Sequence, residues 1–148
     1  MFRFSRSALI LLVTIASLSC QSYTAGLQKS IAHADETAAT AALRTIAIAQ
    51  RTYSVTSGGD FGTFQQLCEG DYLDARFNAE KPAIKDYVLT MTVTAKAAGQ
   101  SEGFYSCNAD PAGTGAQAGR HFYIDSRSGA LHTNADRPAT ADDPIAQP

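Results

Sequence analysis

The stretch ADETAATAALRTIAIAQRTY, residues 34–53, decides the fold. It holds no Pro and no Gly, and Ala, the strongest helix former, dominates it. Its apolar side chains Ala39, Leu43, Ile46, Ala49 and Tyr53 recur at steps of four and three, which is one face of an α-helix. Arg44 and Arg51 lie off that stripe on a face of their own. The simplest use of that face is to meet solvent, and the alternative is contact with a neighbouring subunit. Asp35 and Glu36 sit in the N-terminal part of the segment, where negative charge favours a helix start. The helix is free to begin further back, near Ser22. Ser57-Gly58-Gly59-Asp60 ends it. A helix with one narrow apolar stripe is marginally stable alone in water, so Leu43, Ile46 and Tyr53 require a second element to pack against.

That element lies downstream. Tyr87, Leu89, Met91 and Val93 alternate with Val88, Thr90, Thr92 and Thr94, the period of a strand with one buried face. A second strand is expected over 103–109, carrying Phe104, Tyr105 and Cys107, and a third over 120–125. Ser126-Arg127-Ser128-Gly129 reads as a tight turn that returns a fourth strand over 130–133. Between helix and sheet, Phe64, Leu67 and Cys68 are spaced for a short helix that Gly70 stops. Residues 75–86, with Pro82 and scattered charges, read as a connecting loop. Pro138, Pro144 and Pro148 mark an extended acidic tail over 137–148. The expected architecture is α+β, a long N-terminal helix packed on a small antiparallel sheet of about four strands, each supplying the apolar face the other lacks.

Upstream of the helix the chain reads as an export leader, a signal peptide or membrane anchor over 1–19. Arg3 and Arg6 form a basic start, and the apolar run from Ala8 to Leu18 is too short for a bilayer span of about 20 residues but suits a signal sequence. Ser17 and Ser19 give a small-x-small cleavage pattern followed at once by Cys20, the position of lipidation in bacterial lipoproteins. Ordinary cleavage near Ser19, or an uncleaved signal anchor, is the other reading. Either way the domain, residues 20–136, is expected outside the cytoplasm of a bacterium: periplasmic, membrane-anchored or on the cell surface. Removing residues 1–19 takes away two arginines and no acid, so the remainder is more acidic than the whole chain, whose net charge is −2. No Lys/Arg cluster stands out, which argues against nucleic acid as a partner.

With 148 residues, 45% of them hydrophobic, the chain has material for one domain and one core. Three cysteines are too few for a disulfide scaffold. In an oxidising compartment Cys68 and Cys107 can pair, adding on the order of 3–4 kcal/mol in the chain-entropy model. The alternative is two separate buried thiols.

Several runs together carry a resemblance. Ala34-Asp35-Glu36-Thr37-Ala38-Ala39 leads into Leu43-Arg44-Thr45-Ile46, Ala49-Gln50 and Tyr53. Leu67 to Leu73-Asp74 follows, then Asn108-Ala109-Asp110-Pro111, then Gly119-Arg120-His121-Phe122-Tyr123-Ile124-Asp125 and Gly129. Their order and spacing over about residues 34–145 resemble the globular part of type IV pilins and type II secretion pseudopilins. In that family an A-N-E-x-x-A start precedes L-R-T-I-x-x-A-x-x-x-Y, and a small A-x-P loop precedes R-x-F-Y-x-D-x-x-G. The resemblance implies a non-enzymatic cell-envelope protein acting through protein–protein contacts, as a pilus or secretion-system component, with other envelope or pilin-like proteins, or itself, as partners and no cofactor. The N-terminus departs from the family. Its leader is cut between a Gly and a Phe, with a Glu five residues into the mature chain; here Arg3 precedes Phe4 and Ala8 stands where the Glu would be. The alternative function is a lipid-anchored periplasmic or surface binding module, held to the membrane by a lipid on Cys20, that does not enter filaments.

Other groupings are weaker. Cys107 with His121 would suit a thiol nucleophile and base, but no orienting third residue is evident. The spacings of His33, His121 and His132 match no metal-ligand motif, and surface histidines are the simpler reading. Asp125-Ser126-Arg127-Ser128-Gly129, followed by Asp136, Asp142 and Asp143, is too short and too irregular for a calcium loop and contains Arg127. Gly113, Gly115 and Gly119 neither follow a strand nor open a helix, so they form a linker and not a phosphate loop. Tyr53, Tyr72, Tyr87, Tyr105 and Tyr123 are expected to pack the core and the sheet faces.

Overall fold

Helix α1 (Arg6–Thr56) is continuous in the computed structural model, which describes residues 6–113 and 119–147, with side chains from residue 26 onward. It starts well before the Ala-rich stretch because nothing upstream stops it. No proline intervenes, and Gly26, at a cost of about 1 kcal/mol, is too weak a breaker. Among the described residues no helix is long and apolar enough to cross a membrane. At the other end Gly58 and Gly59 take positive φ and turn the chain. A side chain at Gly59 would overlap the Ser101 carbonyl, and Gly59 itself accepts a backbone hydrogen bond from Gly103 at 2.9 Å, tying the helix exit to the start of the sheet.

Helix α2 (Phe64–Glu69) is the short helix expected between helix and sheet. A capping box fixes its start: Thr63 accepts from the Gln66 backbone and Gln66 accepts from the Thr63 backbone. It places Phe64 and Leu67 in the core. The sheet then forms an antiparallel meander, β1 (Ala83–Ile84), β2 (Tyr87–Thr94), β3 (Phe104–Pro111), β4 (His121–Asp125) and β5 (His132–Asn134), in that spatial order.

Among the described residues the sheet has five strands, against the expected four or so. The extra one is β1, in the stretch expected to be a loop: a 3-10 turn over Ala75–Phe77 and the buried Pro82 lead into it, and Lys85, at φ 54, closes a two-residue hairpin onto β2. Two residues are too short to show an alternation, so the sequence pattern carries no sign of it.

Alternation on the long strands separates the two faces of the sheet. Tyr87, Leu89, Tyr105, Cys107, Ala109, Phe122 and Ile124 are buried on the face covered by α1, where Ala39, Ala42, Leu43, Ile46 and Ala49 meet them. Leu43 and Ile46 are fully buried, each contributing on the order of 2 kcal/mol by leaving water; Tyr53 is half-buried against the same cluster, edge-on to Tyr72 at 5.5 Å.

The helix stripe also buries one polar side chain, Gln50. Its amide donates to the Gly62 carbonyl at 2.6 Å and accepts from the Gly62 N–H at 2.9 Å, so it serves the loop after α1 as a partner strand would. Further along, Glu36 accepts from the Arg120 backbone and guanidinium, the closest contacts being 2.9 Å, and joins α1 to the start of β4.

The C-terminal segment, expected as an extended acidic tail, is extended but folds back on the sheet. Pro144 accepts from Thr133, and Ala146 donates to Leu131, extending the β5 edge. Ala139 is buried, and its carbonyl accepts from Asn108 on the face opposite α1. Asp143 is the knot of this segment, taking hydrogen bonds from Asn134, Thr140 and Arg137. The Asn134 amide leads the interactions that hold its carboxyl down to about 2.

Candidate functional site

A groove of about 680 Å³ runs between the flank of α1 and the turn after β4. Helical spacing puts Arg44, Ile48 and Arg51 along one wall. Phe61, Tyr105 and Ile124 line its apolar part, and Glu102 with the Ser126–Gly129 turn completes the rim. Phe61 and Tyr105 meet edge to face at 4.9 Å. The Tyr105 hydroxyl makes no hydrogen bond among the described residues. Burial holds its proton, raising its pKa to about 12, with Arg51 acting in the opposite sense.

The charges of the groove are unequally committed. Asp125 is buried, and its carboxylate accepts from the backbone of Arg127 and Ser128, the Ser128 hydroxyl and the Tyr123 hydroxyl, at 2.9–3.1 Å. Burial alone would raise its pKa, but these donors together hold it below the usual range. It therefore serves as the cap of the turn, and the stretch Asp125–Gly129 is a hairpin connection whose carboxylate is already filled. Arg127 stands over the Phe104 ring at 4.8 Å. Arg44 and Arg51 are exposed and make no ion pair among the described residues. Ile48, between them, is 70% exposed. The stretch Arg44-x-x-x-Ile48-x-x-Arg51 was legible as an off-stripe face; that Phe61 and Tyr105 come to lie beside it was not, because both are distant in sequence.

On the opposite face of the sheet, cross-strand register brings Asp110, His121 and Asn134 into one row and Asn108, Tyr123 and His132 into the next. His121 Nδ1 lies 2.6 Å from Asp110. His132 is not a surface residue: the tail buries it, and its Nδ1 donates to the Asp143 carbonyl at 2.6 Å. Its Nε2 and the Thr133 hydroxyl are buried without a hydrogen-bond partner among the described residues. His33 is exposed on α1, far along the chain from both. Among the described residues no group of three His, Cys, Asp or Glu is placed to hold a metal ion.

Both cysteines of the expected bridge are free thiols, a correction to the disulfide reading. Cys107 is fixed by register between Met91 and Ile124 on the helix-covered face, fully buried, and burial pushes its pKa far up. Cys68 is only half-buried, on a helix held by its own caps, and its thiol turns to the Asp74 carbonyl at 3.4 Å. Cys107 and His121 also fail to meet as a dyad, because an even–odd offset in the register places them on opposite faces of the sheet. The Cys20 side chain and the leader residues Arg3 and Phe4 lie outside the described residues, as do Gly115 of the Gly-rich linker and Pro148 of the tail. Gly113 is exposed at the near end of that linker; Gly119, at its far end, packs so closely on Tyr87 and Glu36 that a side chain there would collide with them. Compared with known proteins, the chain matches no family model, no curated relative and no solved structure.

Proposed function

We propose that this chain is a non-enzymatic cell-envelope protein with a type IV pilin-like or pseudopilin-like domain, exported and working through protein–protein contacts as a component of a pilus or secretion system. The observation that carries this reading is the division of α1. One part is buried on the sheet. The part before it stays helical while exposing Leu27 and Ile31, 53% and 51% accessible, which is apolar surface in want of a partner. The order of motifs from Ala34 to Gly129 supports the same family. The test is to shear surface filaments from producing cells and weigh the mature N-terminus by mass spectrometry. The protein is expected in the sheared fraction. A diacylglyceryl group on Cys20, with all the protein left in the membrane fraction, would overturn assembly. It would favour instead the lipid-anchored binding module, the reading to which the groove beside Arg44 and Arg51 lends support.

A further inference from the structure

We infer that the groove between α1 and the turn after β4 is a binding site for an acidic, apolar peptide segment of a partner protein, its carboxylates meeting Arg44 and Arg51 and an apolar side chain settling on Phe61, Tyr105 and Ile124. Charge complementarity selects this occupant. The chain as a whole is acidic, at −2, yet the two arginines on this wall are exposed and unpaired among the described residues. The groove's buried acid, Asp125, is consumed by the donors of its own turn, so Glu102 at the rim is the acid left to oppose them. An arginine facing a carboxylate forms charge-assisted, often bidentate hydrogen bonds. The Tyr105 hydroxyl, protonated at neutral pH and without a partner among the described residues, adds a donor in the apolar part.

The shape selects a peptide among anions. At about 680 Å³ the groove is open along the helix and roomy enough for a few side chains. Its cationic positions lie one on either side of Ile48, so an extended segment can lay carboxylates at both while an apolar residue between them reaches the floor. Nucleic acid would need a continuous basic stripe, which the groove's Arg44, Arg51 and Arg127 do not make. This inference deepens the protein-contact reading above, and the two fail separately: peptide binding is measurable whether or not the protein enters filaments.

The experiment titrates the full chain into a fluorescein-labelled peptide of alternating Glu and Leu and follows anisotropy. Two matched peptides replace Glu by Lys or Leu by Ser. Saturable binding of the Glu/Leu peptide is expected, weakening as salt rises, with the Lys and Ser peptides at least about tenfold weaker. Arg44→Glu and Arg51→Glu are each expected to weaken binding by about tenfold or more, with an unchanged melting temperature because both side chains are exposed. Should either charge reversal disturb folding, Arg44→Gln with Arg51→Gln serves as the milder variant. Equal affinity for the Lys peptide, unchanged affinity in a folded arginine variant, or full competition by inorganic phosphate at the concentration of the peptide would overturn the inference. So would self-association that depends on Arg44 and Arg51 in a protein that binds no peptide, since the occupant would then be a second copy.

Discussion

Residues 39–53 of α1 and residues 27–31 of the same helix share an apolar pattern and end in opposite environments. Ile31, Asp35 and Ala39 follow one another at i+4 spacing, so Leu27 and Ile31 continue the line that further on becomes Leu43 and Ile46. Leu43 and Ile46 are inaccessible, whereas Leu27 and Ile31 are about half exposed. Helical spacing does not separate the two segments. What separates them is the sheet, whose inner face extends only as far as the Glu36–Arg120 pair. An apolar stripe states that a helix wants a partner; the length of the partner decides where the wish is met.

The sharpest way to break this comparison is to put the same charge into both segments. Leu43→Asp is expected to unfold the domain, since burying a carboxylate where a fully buried leucine packed costs at least about 4 kcal/mol, a large share of a typical domain's stability. Circular dichroism during heating reads it, and a cooperative melt at the parent temperature would contradict the packing. Gln50→Leu comes next. It leaves the Gly62 N–H and carbonyl without partners, at a cost of about 2 kcal/mol, seen as a lower denaturation midpoint with an unchanged slope; an unaltered midpoint would show that the clamp does not matter.

Glu36→Gln tests the boundary itself. Burial disfavours the Glu36 carboxylate, but the Arg120 side chain and backbone together outweigh it and hold its pKa below the usual value. Its contribution is therefore complete above the unfolded carboxyl value of about 4.3 and is lost as pH falls through the lower folded value. Because the Arg120 side chain is 45% exposed, screening reduces the effect to about 1 kcal/mol at neutral pH. The gap in melting temperature between parent and variant is expected to close on acidification; a gap that persists or widens in acid would contradict the linkage. The smallest effect belongs to Leu27→Asp and Ile31→Asp. These change domain stability by under about 0.5 kcal/mol while reducing association measured by sedimentation. A large drop in melting temperature would mean that this part of the helix packs on the domain after all.

Much of the fold follows from pattern. The period-two run from Tyr87 to Val93 and the period of α1 each reports a local geometry and the side of it that must leave water. Ser57–Asp60 and Gly70 report where the helices stop. The groove was half legible, since Arg44 and Arg51 stand off the stripe, but nothing near them in the chain announces Tyr105. The exceptions are instructive. β1 is too short to display a period. The tail around Asp143 looks like surplus because its stabilising contacts are polar and specific to Asn134, Thr140 and Arg137. Gln50 reads as a surface residue by type and is buried because Gly62 passes within reach. Cys68 and Cys107 invite pairing only on the expectation of export, and whether two thiols meet depends on separate elements being brought together; here each is held by its own.

Hydrophobic periodicity is a property of neighbours along the chain, so residues 34–53 and 87–94 were enough to specify a helix and a strand that must cover one another. Which residues face each other across the sheet is a property of register. The burial of His132, the separation of Cys107 from His121 and the placing of Arg51 beside Tyr105 in one groove were therefore decided only when the strands paired and α1 settled on them. A one-residue slip would have left every local pattern intact and exchanged the two faces.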